Sequence, residues 1–119
     1  MDDSKILIVE DEYIIATDLK QRLEYMGHEI VGIEGEGKAA IKKTIETKPD
    51  LILVDITLKG ELDGIETVEQ IQNIYDVPFI YLSGSCDTIT MERAKITEPS
   101  GYIIKPFMDK RIKKTLEMV

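Results

Sequence analysis

The sequence has 119 residues, of which 43% are hydrophobic and 32% charged, and its formal net charge is −8 at pH 7. These totals favour one globular domain, exclude a disordered chain, and argue against direct binding to DNA or RNA. The single cysteine excludes an internal disulfide. No apolar run approaches the roughly 20 residues of a membrane span, and the acidic start is unlike a signal peptide. We therefore expect a cytoplasmic protein without membrane contact.

Apolar runs and helical periodicities alternate five times along the chain. Short apolar runs bounded by turn residues are typical of strands, and they cover Lys5–Val9, Glu29–Glu34, Leu51–Asp55, Phe79–Ser83 and Gly101–Ile104. Stretches with a period near 3.6 residues predict helices, and these cover 13–26, 38–48, 65–74, 87–97 and 108–119. Ile41, Ile45 and Ile74 are expected on the inward helix faces. The alternation predicts a doubly wound α/β fold, and a parallel sheet of five strands favours the flavodoxin-like order 2-1-3-4-5.

Charged side chains follow three of the predicted strands. The run Leu51–Asp55 ends in a carboxylate, Glu10 and Asp11 follow the first strand, and Lys105 follows the fifth. Because parallel strands present their C-terminal ends at one edge of the sheet, we expect the three carboxylates to share a crevice. Lys105 must reach this crevice from the far edge of the sheet on its long stem.

Crowded carboxylates repel one another, and a bound cation or a nearby ammonium group relieves that repulsion. Hard oxygen ligands suit Mg²⁺, which takes one or two carboxylates and keeps several waters. We expect Asp11 and Asp55 to bind the ion directly and Glu10 to orient a water of its hydration shell. A backbone carbonyl just after Asp55, such as that of Thr57, could complete the set.

A carboxylate beside Mg²⁺ can attack phosphorus and become an aspartyl phosphate. In such a transfer Lys105 supplies positive charge opposite the ion. Ser83, at the end of the fourth strand, supplies a hydroxyl that can bind a phosphoryl oxygen, and Gly84 beside it leaves room for an incoming donor.

Taken together, these motifs resemble the receiver domain of two-component response regulators, of the chemotaxis-regulator type. The resemblance covers essentially the whole chain as one domain, 1–119. The motifs that carry it each lie at a strand end: Glu10-Asp11, Asp55, Ser83-Gly84 and Lys105-Pro106-Phe107.

The resemblance implies a role for each site residue. Asp55 is the phosphoacceptor, and it forms a Mg²⁺ site together with Glu10 and Asp11. Lys105 is the phosphate-binding cation, and the Lys105–Pro106 bond is often cis in the family. Ser83 is the switch hydroxyl and Tyr102 the switch aromatic.

Two features depart from the family pattern. Leu58 is followed by Lys59 where the family often has Met-Pro or Leu-Pro, and the stretch to Asp63-Gly64 is one residue longer than usual. Glu10 stands where the family often has Asp. The resemblance is therefore weakest in the loop that carries the Thr57 carbonyl.

The expected partner is a sensor histidine kinase or a phosphotransfer protein, whose phosphohistidine donates to Asp55. Ser83 then moves inward, Tyr102 rotates, and the face formed by the fourth helix, the fifth strand and the fifth helix changes shape. That face also allows a homodimer. His28, in a helix–strand turn, is expected to be exposed.

Three other functions remain open. A phosphatase of the haloacid dehalogenase type would need a second Asp where this chain has Thr57. A flavin-binding electron carrier would need a hydroxyl- and Gly-rich loop after the first strand, where Glu10 and Asp11 would repel phosphate. A receiver-like scaffold that is never phosphorylated is the third alternative, against which the intact acidic residues and Lys105 argue.

Overall fold

The computed structural model describes residues 4–119, and within them strands and helices alternate strictly. The strands are β1 (Lys5–Val9), β2 (Glu29–Glu34), β3 (Leu51–Asp55), β4 (Phe79–Ser83) and β5 (Gly101–Ile104). The helices are α1 (Tyr13–Tyr25), α2 (Gly37–Thr47), α3 (Gly64–Gln72), α4 (Thr88–Ile96) and α5 (Asp109–Glu117).

The five strands form one parallel sheet in the order β2-β1-β3-β4-β5. The prediction of a flavodoxin-like α/β fold is therefore confirmed. The register pairs Val9 with Val54, Asp55 with Leu82 and Ser83 with Ile104. Because the C-terminal ends of neighbouring strands are level, the loops that follow them share one edge of the sheet.

The central strand β3 is buried along its whole length, as expected for a strand covered by helices on both faces. Its side chains alternate between two cores. Ile52 and Val54 pack with side chains from α2, α3 and α4, whereas Leu51 and Leu53 pack with side chains from α1 and α5. The buried sheet thus supports the site, which lies at the C-terminal edge of its strands.

Two predicted core residues lie instead at the surface. Ile45 is 52% exposed because α2 turns its small residues, Ala40 and Thr44, towards the core. The reason is close packing of α2 on α3, where a Cβ atom at Gly37 would overlap Thr67 Oγ1. Ile74 is 56% exposed, since α3 already ends at Gln72.

The expectation that His28 is exposed is wrong. This side chain is buried, with 8% of its surface exposed, and its Nδ1 accepts a hydrogen bond from the Ser4 backbone N–H at 3.3 Å. The chain folds back here on the start of β1, where Glu29 N–H also donates to the Ser4 carbonyl at 2.9 Å.

Within residues 4–119 we find no helix whose length and hydropathy would let it cross a lipid bilayer.

Candidate phosphoacceptor site

The site lies at the C-terminal edge of the sheet, where β1 and β3 are neighbours. Glu10 and Asp11 directly follow β1, and Asp55 is the last residue of β3. One carboxylate oxygen from each of the three residues lies within 4.8 Å of the others. The sequence prediction that these carboxylates converge is therefore confirmed by the geometry.

Lys105 reaches this cluster from β5, as its long stem suggested. Its Nζ lies 2.7 Å from Glu10 Oε1 and 3.4 Å from Asp55 Oδ2. The peptide bond between Lys105 and Pro106 is cis, in agreement with the resemblance. One ammonium group thus faces two of the three carboxylates.

Burial makes these charges costly. Glu10 is 2% exposed and Asp55 4% exposed. Burial raises the pKa of Glu10, and the hydrogen bond from Lys105 lowers it. Burial has the larger effect, so the pKa of Glu10 is about 7. Burial of Lys105 lowers its pKa, but the hydrogen bond to Glu10 and the charge of Asp55 together outweigh burial, so the pKa of Lys105 is raised. Lys105 therefore keeps its charge, and the cluster as it stands holds more negative charge than one ammonium group neutralises.

The loop between β3 and α3 fixes one oxygen of the Asp55 carboxylate. Thr57 donates to Asp55 Oδ1 twice, from its backbone N–H at 3.0 Å and from its hydroxyl at 3.1 Å. The other oxygen, Oδ2, is the one that faces Lys105. The contact of the Thr57 hydroxyl was not predicted from the sequence. The signal for it is a Thr two residues after an Asp, the spacing of a local Asx-type turn. The role of the Thr57 carbonyl as a metal ligand stays a prediction.

The loop after Asp55 reaches the surface at residues 59–61, which are exposed. Leu58 is buried and anchors the start of the loop, while Gly60 adopts a φ of 113°. Glu61 then pairs with Lys38 of α2 at 2.6 Å. At the end of the loop, Gly64 lies so close to β3 that a Cβ atom would overlap the Asp55 carbonyl oxygen. Glycine is required there by close approach of two backbones.

Ser83 and Tyr102 lie on the other side of Asp55, towards β5. Ser83 is 7% exposed, and its Oγ lies 3.6 Å from Cys86 Sγ. Tyr102 is half-buried, and its hydroxyl is buried without a hydrogen-bond partner among residues 4–119. These side chains line an open, mainly apolar cavity of about 380 Å³ together with Gly84, Cys86, Met91 and Ile104.

A parallel α/β sheet that gathers three carboxylates and a lysine at one edge defines the class of receiver-type signalling domains. The family model for the response regulator receiver domain matches residues 6–117. The chain therefore belongs to the response regulator receiver domain family. Receiver domains are signalling switches and not turnover enzymes in the usual sense, and the family favours this class over a phosphatase or an electron carrier.

Known proteins with similar sequences are response regulators. PdtaR, a transcriptional regulatory protein of Mycobacterium tuberculosis, is 34% identical over 103 residues, which cover 87% of this chain and 50% of PdtaR. The chemotaxis protein CheY of Thermotoga maritima is 29% identical over 116 residues, which cover 97% of this chain and 96% of CheY. The chain thus spans about half the length of PdtaR and nearly all of CheY.

A solved structure shows the same fold. The signal receiver domain of a modulated diguanylate cyclase from Desulfovibrio desulfuricans G20 superposes with a TM-score of 0.93 and is 36% identical, with 98% of this chain and 93% of that one covered.

Proposed function

We propose that the domain accepts a phosphoryl group on Asp55 from the phosphohistidine of a sensor histidine kinase or a phosphotransfer protein. The observation that supports this most is the convergence of three carboxylates and one lysine around Asp55. An Asp55 oxygen forms the new bond to phosphorus while the phosphorus–nitrogen bond of the donor breaks and its electron pair returns to the imidazole. The product is an acyl phosphate.

The residues present fit a Mg²⁺ ion, because the cluster offers only carboxylate oxygens and carries uncompensated negative charge. Asp11 and Asp55 would hold the ion, Glu10 would contact its hydration shell, and the Thr57 carbonyl would add a further oxygen. When bound, Mg²⁺ neutralises charge that develops on the transferring phosphoryl oxygens. Lys105 would add positive charge beside Asp55 Oδ2, which its ammonium group already faces at 3.4 Å.

The phosphorylated state differs from the free state by a new charge of about −1.5 to −2, by analogy with phosphate esters. That charge attracts the Ser83 hydroxyl, and Tyr102 repacks in the space that Ser83 leaves. The surface of α4, β5 and α5 then shifts between two packings, as a change of population. We place this switch in the cytoplasm, with partners or a second copy of the chain docking on that surface.

The test is phosphorylation by radiolabelled acetyl phosphate in the presence of Mg²⁺. We expect label on the wild type and on Asp76→Asn, which removes an exposed carboxylate just before β4, at the edge of the sheet opposite to the cluster. Asp55→Asn should abolish the label. Undiminished labelling of Asp55→Asn would mean that the phosphoacceptor is a different residue, and absence of label on every form would favour an unphosphorylated scaffold. Continuous release of phosphate from a phosphomonoester would instead favour a phosphatase.

A further inference from the structure

The helix α4 is attached to the sheet mainly at one end. Among the described residues of α4, Ala94 is the single buried one. The half that precedes it is exposed or half-buried, with Ile89 74% exposed. Beneath that half lies the cavity of about 380 Å³ that Met91 shares with Ser83 and Tyr102. Arg93, just before Ala94, also pairs with Asp63 at the start of α3, at 3.2 Å. The first residues of α4, 88–92, therefore have room to move, and the C-terminal end does not.

The fixed end is held by a buried hydrogen-bond network around Thr97, the residue that caps α4. The Thr97 hydroxyl donates to the Ala94 carbonyl at 2.6 Å, and Tyr81 Oη lies 2.7 Å from Thr97 Oγ1. Since the hydroxyl proton of Thr97 is already used, Tyr81 is the donor in the second bond. From α3, Gln72 Nε2 donates to the Thr97 carbonyl at 3.0 Å.

Tyr81 also contacts the switch aromatic. It is fully buried on β4, and its cross-strand partner on β5 is Tyr102. The two rings are 6.0 Å apart and inclined by 31°. On its other side the Tyr81 ring meets Phe79 edge-on at 5.4 Å. Tyr81 is thus the one described side chain found both against Tyr102 and on the cap of α4.

We propose that Tyr81 anchors the C-terminal end of α4 through its hydrogen bond to Thr97, so that the helix pivots about this end when the site is phosphorylated. The trigger for the pivot rests on the proposed function, whereas the anchor does not. Repacking of Tyr102 changes the walls of the cavity under the free half of α4, while the Tyr81 ring and the Thr97 cap stay in place. The N-terminal half of α4 is the part that moves.

Amide hydrogen exchange tests the anchor in the absence of any ligand. Tyr81→Phe removes only the hydroxyl that Thr97 accepts, and we expect the amides of residues 94–97 to exchange about fivefold faster, the effect of losing one ordinary hydrogen bond. Thr97→Val removes both the acceptor for Tyr81 and the bond to the Ala94 carbonyl, so it should speed exchange at least as much, whereas Thr97→Ser keeps the hydroxyl and should exchange as slowly as the wild type. Tyr75→Phe is the matched control, because Tyr75 is half-buried against the same core but follows α3. If Tyr81→Phe speeds exchange at 94–97 no more than Tyr75→Phe does, the anchor is refuted.

Beryllofluoride with Mg²⁺, as a mimic of the phosphoryl group, tests the pivot. In the wild type we expect altered exchange over residues 88–92 and unchanged exchange over 94–97. In Tyr81→Phe the change should spread into 94–97. An equal change in exchange along the whole of α4 in the wild type would overturn the pivot. No change anywhere in the wild type would count against the proposed phosphorylation, and the ligand-free exchange experiment would then decide on the anchor.

Discussion

At the scale of single residues, the carboxylates of the site have different surroundings. Glu10 and Asp55 are both buried, but Glu10 takes the closer contact with Lys105, and Asp55 Oδ1 is held by Thr57. Two donors on one oxygen fix the plane of the Asp55 carboxylate. If Asp55 is the nucleophile that we propose, this fixed plane reduces the reorganisation needed before attack.

The raised pKa of Glu10 leads to a prediction about pH. In the folded protein this pKa is about 7, against 4.5 as its ordinary value, so the folded state binds a proton more tightly than the unfolded state between these limits. The free energy of unfolding of the metal-free protein should therefore fall as pH rises from about 4.5 to about 7, by on the order of 3 kcal/mol from Glu10. Urea unfolding in the presence of a chelator at a series of pH values measures it.

Glu10→Gln is the control for this pH dependence, because it keeps the size of the side chain and removes the titrating group. Its free energy of unfolding should fall less over the same range. Equal pH profiles for Glu10→Gln and the wild type would show that other carboxylates account for the dependence.

At the scale of secondary-structure elements, the N-terminus of α3 connects the loop that follows Asp55 to the rest of the protein. Asp63 caps the helix, since its Oδ1 accepts from Glu66 N–H at 2.8 Å while Glu66 Oε1 accepts from Asp63 N–H at 2.9 Å. Asp63 Oδ2 also pairs with Arg93 of α4 at 3.2 Å. The same residue therefore holds both the end of the loop and the neighbouring helix.

Two substitutions of Asp63 separate these roles. Asp63→Ala removes the cap and the ion pair, and should lower the free energy of unfolding by about 1–2 kcal/mol. Asp63→Asn keeps a capping oxygen and loses only the charge, so it should cost less than about 1 kcal/mol. Denaturant unfolding of both variants, with Arg93→Gln alongside Asp63→Asn, measures the difference. If Asp63→Asn is as damaging as Asp63→Ala, the carboxylate charge and not the cap is what stabilises this region.

The elements themselves could be predicted from sequence because their signals are local. Apolar runs end at Asp55, the last residue of β3, and just before Lys105, and sheet topology then brings those ends together. The predictions for Ile45 and His28 failed because burial there depends on how closely another element approaches, which periodicity does not contain. The prediction for Ile74 failed because α3 ends at Gln72, two residues before the position that the helical period assigned to the core. The contact between Thr57 and Asp55 Oδ1 and the Tyr81–Thr97 bond likewise depend on distances between elements or within a turn.

At the scale of the whole molecule, part of the net charge of −8 is concentrated at one edge of the sheet. Carboxylates stand at or just after the C-terminal ends of β1, β2 and β3, as Glu10, Glu34 and Asp55. One edge of the sheet therefore carries a concentrated negative potential, which attracts divalent cations. Burial of the Glu10 carboxylate, which raises its pKa, is the part of this charge that costs folding free energy, and Lys105 offsets only part of that cost.

Mg²⁺ should therefore stabilise the whole domain, because it binds the folded cluster and has little affinity for the unfolded chain. At ten times its dissociation constant the gain is about 1.4 kcal/mol, which a thermal melt resolves as a rise of a few degrees. Any salt screens the repulsion between carboxylates in a chain of net charge −8. The melting temperature in Mg²⁺ is therefore compared with that in KCl at equal ionic strength. Asp11→Asn should lose the rise that is specific to Mg²⁺, and Asp76→Asn should keep it. A rise that KCl reproduces, or that Asp11→Asn retains in full, would assign the effect to general screening and remove the reason for placing the ion among Glu10, Asp11 and Asp55.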